Sequence, residues 1–263
     1  MLKGRYLGVL SFAAALVAAG PTPEVRPRPE HQGPPPALGQ WVWTQADAEL
    51  LTEATTAGIF VGTVRADDGV RWSRALSPAL SVPSSARAAV IRFDDSLHGH
   101  WDDPGFEAKL THQLESILAQ LGPFAEVQLD YDAPVRRLAR WGGLVRRWSD
   151  GPLAGRAVWV TSIPAHLSRP DAYRRAFAGA VDGHILQVFD TGLSCSPRHV
   201  ERLSVQAAET ALPYRVGVGA FERVGHTDHG CWFRQWRRLG HAPGFEGLWV
   251  FPAGHAYRHL IES

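Results

Sequence analysis

Eight short runs rich in β-branched and aromatic residues recur along the chain, most of them separated by enough sequence for a helix, and this alternation restricts the fold more than any single motif. The runs are WVW from Trp41, IFVGTV from Ile59, AAVIRFDD from Ala88, EVQLDYD from Glu126, AVWVTSIP from Ala157, HILQVFD from His184, YRVGVGAF from Tyr214 and GLWVFPAG from Gly247. Helical stretches lie between them at Pro104 to Leu121, Pro134 to Trp148, Arg169 to Ala180 and Pro197 to Ala211; in the first, Phe106, Leu110, Leu114 and Leu118 fall at helical spacing. Pro104, Pro134, Pro170 and Pro197 stand at or near the starts, where a missing N–H costs little. Strands alternating with helices through short connections favour a parallel sheet, and eight such units predict an α/β fold of the closed (β/α)8, TIM-type kind; an open doubly wound sheet is the alternative. Two segments fit poorly: RADDGVRWSRALSPALSVPSS reads as loop, and Glu222 to Phe245 reads as irregular.

A chain of 263 residues, 45% of them hydrophobic, suits one such domain. Residues 1–19 have the form of a signal peptide, with Lys3 and Arg5 ahead of an apolar run from Tyr6 to Ala19 that is too short to span a membrane. Residues 20–40 are Pro-rich and nearly free of large apolar side chains, which predicts a semi-extended tether, so the barrel domain is expected over 41–263. The expected product is an exported monomer, periplasmic or extracellular, with no membrane span in the mature chain. In that setting Cys195 and Cys231 either form a disulfide or stay as two separate buried thiols; sequence leaves both open. Lys plus Arg at 27 against Asp plus Glu at 26 gives no electrostatic reason for a nucleic-acid partner.

The segment EVQLDYDAP poses the functional question. Strand side chains alternate between faces, so Val127, Leu129 and Tyr131 form an apolar side while Gln128, Asp130 and Asp132 share the other. In a (β/α)8 barrel the C-terminal strand ends build the active site, so the polar residues late in each run are the ones to collect. They are Arg92 and Asp94, then Gln128, Asp130 and Asp132, then Thr161 and Ser162, then Gln187 and Asp190, with Trp249 on the last run. Carboxylates crowded into a partly dry cleft cannot all stay ionised, and one is pushed toward the pKa of a useful general acid. Arg92 is expected to neutralise Asp130 or Asp94 as a buried ion pair, with a place among the substrate-binding residues as the other role, whereas Asp132, last on its strand, is expected to be functional. Trp43 or Trp249 would supply the wall for a sugar ring.

Two resemblances extend this. EVQLDYDAP, RRLARWGGLVRRW, VWVTSIPAHL and AVDGHILQVFD, in that order, resemble an uncharacterised bacterial family of exported proteins, domain of unknown function 3142, over Trp41 to about Phe251. More distantly, QLDYDAP is similar in layout to the D-x-D-x-E-x-P segment of glycoside hydrolase family 18, the chitinase-type barrels, and QVFD to that family's strand ending in Tyr-Asp. The second resemblance implies a carbohydrate ligand and no cofactor, Asp132 as the acid protonating the glycosidic oxygen, Asp130 steering it, a substrate acetamido group as internal nucleophile, and Trp249 as the floor of the sugar site. The chain departs from that pattern in having Asp132 for Glu, Gln128 for the first Asp and Phe189 for the Tyr, which argues against chitinase activity itself and keeps a non-catalytic carbohydrate-binding or envelope protein as the alternative.

Other constellations have plainer explanations. HGHWDD from His98 and GHTDHGC from Gly225 have metal-binding residue types without ordered ligand spacing, so no metal is expected, His226, Asp228 and His229 being the better cluster. GVGAFERVG lacks a phosphate-binding pattern and predicts close packing at Gly217 and Gly219. VRRLARWGGLVRRW places Val135, Leu138, Trp141, Leu144, Val145 and Trp148 on one stripe, as expected for a barrel helix with a charged outer face.

Overall fold

The computed structural model describes residues 38–51, 56–75, 87–122, 124–220, 229–239 and 242–252. The expected signal peptide and most of the tether, along with His226 and Asp228, lie outside the described residues. Among the described residues nine strands form, β1 (Leu38–Val42), β2 (Thr56–Arg65), β3 (Arg71–Arg74), β4 (Arg87–Phe93), β5 (Glu126–Asp130), β6 (Ala157–Ser162), β7 (Gly183–Gln187), β8 (Tyr214–Ala220) and β9 (Phe245–Pro252). All but β3 join in one parallel ring, closed by β1 pairing with both β2 and β9, and the predicted (β/α)8 barrel is thus the observed one. The sheet starts at Leu38, three residues ahead of the expected Trp41.

The strand β3 departs from the loop expected after β2. It folds back antiparallel on β2, with Trp72 opposite Val64, and among the described residues no helix lies between β2 and β4. The hairpin joins where β2 bulges, at Gly62, whose φ of 149° and 2.3 Å approach of a would-be Cβ to the Ser73 carbonyl oxygen leave no room for a side chain.

Among the described residues seven α-helices accompany the ring: α1 (Gln45–Ala48), α2 (Phe106–Gln120), α3 (Leu138–Asp150), α4 (Pro164–Leu167), α5 (Pro170–Phe177), α6 (Pro197–Glu209) and α7 (His229–Arg238). Pro170 and Pro197 occupy first-turn positions, and Ser196 caps α6 by accepting from the His199 amide at 3.2 Å. On α2 the buried positions are Phe106, Leu110, Leu114 and Ile117, the last taking the place expected of the half-buried Leu118. The α3 stripe is buried from Leu138 to Trp148, and a Cβ on Gly142 would lie 2.3 Å from the Ala176 carbonyl oxygen, so α3 and α5 cross at close range. Val135, expected in the stripe, is exposed in a 3-10 turn before α3. The segment expected to be irregular holds α7, which buries Trp232, Phe233 and Trp236. Cys195 and Cys231 form a disulfide, tying the connection after β7 to α7. Among the described residues no helix is long and apolar enough to cross a membrane.

Two packed layers hold the barrel. Outward strand residues such as Ile91, Val127, Leu129, Val160 and Val216 meet the helices in one large core, whereas Trp41, Val90, Trp159, Ile185 and Trp249 fill the interior. Three indoles fit inside because inward positions beside them carry no side chain. A Cβ at Gly39 would lie 2.3 Å from Trp249, one at Gly217 2.5 Å from Trp41 and one at Gly183 2.5 Å from Trp159. Gly217 is thus a packing glycine, as expected.

At the N-terminal end of the barrel Arg215 donates to both oxygens of Glu126, at 2.7 and 3.0 Å, and its guanidinium lies 3.6 Å from the Trp159 ring centre. The pair is nearly buried, with side chains 9% and 13% exposed, and Glu126 also accepts from the Gln128 amide at 2.8 Å. Geometry of this kind is what a buried ion pair requires to offset its desolvation.

Candidate functional site

A cavity of about 730 Å³ opens at the C-terminal end of the barrel. Its position follows from how the end of β5 is anchored. Tyr131 points outward, is 1% exposed, accepts a hydrogen bond from Trp101 Nε1 at 2.8 Å and packs edge-on against Trp141 at 5.2 Å. Burying aromatic side chains of this size is worth roughly 1.5–3 kcal/mol each, so the outward direction of Tyr131 is strongly fixed. With Tyr131 held, Asp130 and Asp132 on either side of it face the cavity.

The cavity has two unlike sides. One carries the charged and polar groups, Arg92 from β4, Asp130 and Asp132 at the end of β5, Thr161 from β6, Gln187 from β7 and Asp190 just beyond it, with the apolar Val90, Ile163, Pro164 and Ala165 among them. The other is aromatic, formed by Trp41 and Trp43 at the end of β1, Phe189 after β7 and Phe251 on β9. Phe60 stacks on Trp43 with centroids 4.0 Å apart, and Phe251 meets Trp43 edge-on at 5.1 Å. Asp190 takes a φ of 53°, a left-handed conformation that Asp tolerates better than most residues.

The Asp130 and Asp132 carboxyls hold their protons unusually well. Asp130 is 9% exposed, and burial pushes its pKa up against the opposing pull of Arg92 and the hydrogen bonds of Thr161 and Gln187. The Gln187 amide donates to Asp130 Oδ1 at 3.1 Å. Asp132 is exposed toward the mouth, yet the concave walls displace much of its surrounding water. That desolvation first, and the charge of Asp130 second, lift its carboxyl to about 6, while Arg92 opposes the rise and Asp95 adds to it.

Of the residues expected from sequence, Asp130, Asp132, Arg92, Thr161, Gln187, Asp190 and Trp43 are brought together on the cavity wall. Four others, Gln128, Trp249, Asp94 and Ser162, are not. Gln128 lies one layer deeper, where its side-chain oxygen accepts from Trp41 Nε1 at 2.7 Å, so it supports the cavity floor without lining the cavity. Trp249 is 2% exposed beneath Trp41, with centroids 5.7 Å apart, so the indole lining the cavity is that of Trp41. Asp94 turns away to accept from the Ser96 amide at 3.0 Å, which holds its carboxyl below the usual range, and faces Arg65 at 3.7 Å.

Arg92 also corrects an expectation. It is exposed and forms no ion pair among the described residues, its guanidinium lying 5.6 Å from the Trp43 ring centre, so the buried pair expected of Arg92 is instead made by Arg215 and Glu126. Ser162 faces the helices, where its Oγ lies 2.8 Å from Nδ1 of the buried His184. Sequence reasoning missed Trp41, Phe189 and Phe251 as wall residues, although Trp41 shares the inward parity of Trp43. Among the described residues no group of three or more His, Cys, Asp and Glu side chains is placed to hold a metal ion.

Comparison with known proteins bears on the fold. No family model and no curated protein sequence matches the chain, so membership in the domain of unknown function 3142 family has no support from a family model. Among solved structures it resembles a family 18 chitinase from Crocus vernus (TM-score 0.61, 12% identity, covering 86% of this chain and 97% of that one). A family 18 chitinase catalytic domain from the fern Peteris ryukyuensis gives a TM-score of 0.62 at 10% identity, covering 86% and 99%. The spore cortex-lytic enzyme SleL of Bacillus cereus gives 0.61 at 12% identity, covering 87% and 74%. At such identities the likeness is one of fold alone, a (β/α)8 barrel.

Proposed function

We propose that this barrel acts on carbohydrate, as a glycosidase with Asp132 as its general acid. One observation carries the reading: two carboxyls with raised proton affinity stand on one side of a cavity whose other side is aromatic. A sugar ring has an apolar face and a polar edge, so a cavity divided in this way matches it on both counts. Asp132, protonated below about pH 6, can donate to the leaving glycosidic oxygen, which is the task a raised carboxyl suits. Asp130, held by Gln187 beside Asp132, would steer that acid toward the glycosidic oxygen. By the family 18 resemblance, an acetamido group of the substrate would serve as the nucleophile. A carbohydrate is the proposed partner, and export to the periplasm or cell exterior the proposed location.

A second reading, a binding protein on a degenerate glycosidase scaffold, is favoured by Phe189, which offers no hydroxyl where the resembling family has Tyr, and by the shorter reach of Asp132. Hydrolysis of N-acetylated and plain chromogenic glycosides and of soluble polysaccharides, by the protein and by Asp132→Asn, separates the two. Turnover that falls about 10²–10⁴-fold on substitution supports the enzyme. Saturable polysaccharide binding that survives Asp132→Asn, with no turnover on any substrate, supports the binder.

A further inference from the structure

We infer that the preferred carbohydrate is anionic, a sugar carrying a carboxylate, and that Arg92 is the residue that selects it; this rests on the carbohydrate reading above. The inference begins with an uncommitted cation. Arg92 is exposed, lines the cavity and forms no ion pair among the described residues. By contrast Arg215 is engaged with Glu126, Arg137 with Asp102, and Arg140 and Arg147 with Glu107, whereas Arg92 is the arginine that lines the cavity. Arg92 touches instead the Trp43 ring, 5.6 Å from its centre, an arrangement that stiffens a long side chain without an ion pair among the described residues.

Its position joins the two sides of the cavity. Trp43 belongs to the aromatic wall, and Arg92 is close enough to Asp130 and Asp132 to oppose the rise of both their pKa values. A ring resting on the aromatic wall with its scissile bond at Asp132 therefore lies beside the guanidinium. Asp130 is already hydrogen-bonded by Gln187, and no carboxylate of the described chain completes the Arg92 fork. A planar fork of this kind is matched by a carboxylate, which it binds through two parallel hydrogen bonds, and matched poorly by a hydroxyl or an amide. The carboxylate could be that of a uronic acid ring or the lactyl ether of an amino sugar, two sources with the same chemistry at this site.

The test compares three probes by calorimetric titration of the protein and of Arg92→Gln. They are a chitin hexasaccharide, which is neutral, a hyaluronan hexasaccharide, which alternates N-acetylglucosamine with a uronic acid, and a tetrasaccharide alternating N-acetylglucosamine with N-acetylmuramic acid. The expected result is a preference of about tenfold or more for at least one anionic probe over chitin, abolished in Arg92→Gln and weakened by salt. The anionic probe that wins identifies the source of the carboxylate. Equal or tighter binding of chitin, or an anionic preference that survives Arg92→Gln, overturns the inference while leaving the carbohydrate reading intact. Failure of all three probes to bind overturns both. Arg92 is exposed, so an unchanged thermal transition is expected for the variant and guards against a folding artefact.

Discussion

Glu126 and Asp130 stand on the same inward face of β5, two side-chain layers apart, in opposite circumstances. Glu126, at the N-terminal end, receives both arms of Arg215 and the amide of Gln128. Asp130, at the C-terminal end, receives the neutral amide of Gln187, with Arg92 acting only through space, and Asp132 beyond it has an acidic neighbour where Glu126 has a cation. One strand thus carries a compensated charge at the closed end of the barrel and under-compensated ones at the open end. Compensation serves stability, and its absence leaves carboxyls able to hold and give up a proton near neutral pH.

Substitutions at either end of β5 should have opposite consequences. At the mouth, Asp132→Asn is expected to lower glycoside turnover by about 10²–10⁴-fold, the largest effect, while leaving the barrel folded and, at pH 7, no less stable. The sign follows from the direction of the shift. A carboxyl whose folded pKa, about 6, exceeds its unfolded value of 3.8 binds more protons in the native state, so stability falls as pH rises through that window, and the amide removes the loss. Chemical denaturation at pH 4 and pH 7 checks this: the advantage of Asp132→Asn should grow with pH. At the closed end, Glu126→Ala strands Arg215 among Trp159 and Trp249 and is expected to cost about 3–5 kcal/mol of unfolding free energy.

Smaller effects sharpen the contrast. Gly217→Ala sets a methyl 2.5 Å from the Trp41 ring and is expected to destabilise by about 1–3 kcal/mol while also disturbing the cavity floor, so thermal stability and ligand affinity should fall together. Arg92→Ala removes the cation that holds Asp132 down, so the pH at which activity declines should move upward, by less than the rise desolvation has already produced. A decline that moved downward would show that Arg92 does not act on Asp132.

Much of this was legible in the sequence, and what was not has identifiable causes. The eight barrel strands fall on the eight β-rich runs, because strands buried on both faces read as apolar stretches bounded by turn residues. Strand parity placed Gln128, Asp130 and Trp249 correctly on the inward face. Parity does not give depth: the register that sets Trp249 opposite Gly39 and Gly217 puts its ring in the layer below Trp41, and only pairing across β1, β8 and β9 fixes that. Glu126 and Arg215 are 89 residues apart, and no local signal joins them. By contrast α7 was available in principle, since Trp232, Phe233 and Trp236 already lie at helical spacing. The hairpin of β3 was hidden by a segment that reads as loop, with Arg71 and Arg74 exposed on a short edge strand.

On the proposed function, the chain just past the end of β5 holds a carboxyl, that of Asp132, ready to act as an acid. The most direct test is a carbon-detected NMR titration of the aspartate carboxyls in the folded protein, with Asp132→Asn used to assign the Asp132 resonance. A midpoint near 6 for Asp132 is the predicted result. A midpoint near 4, the range of an ordinary exposed aspartate, would show that the cavity does not desolvate Asp132 and would contradict the account.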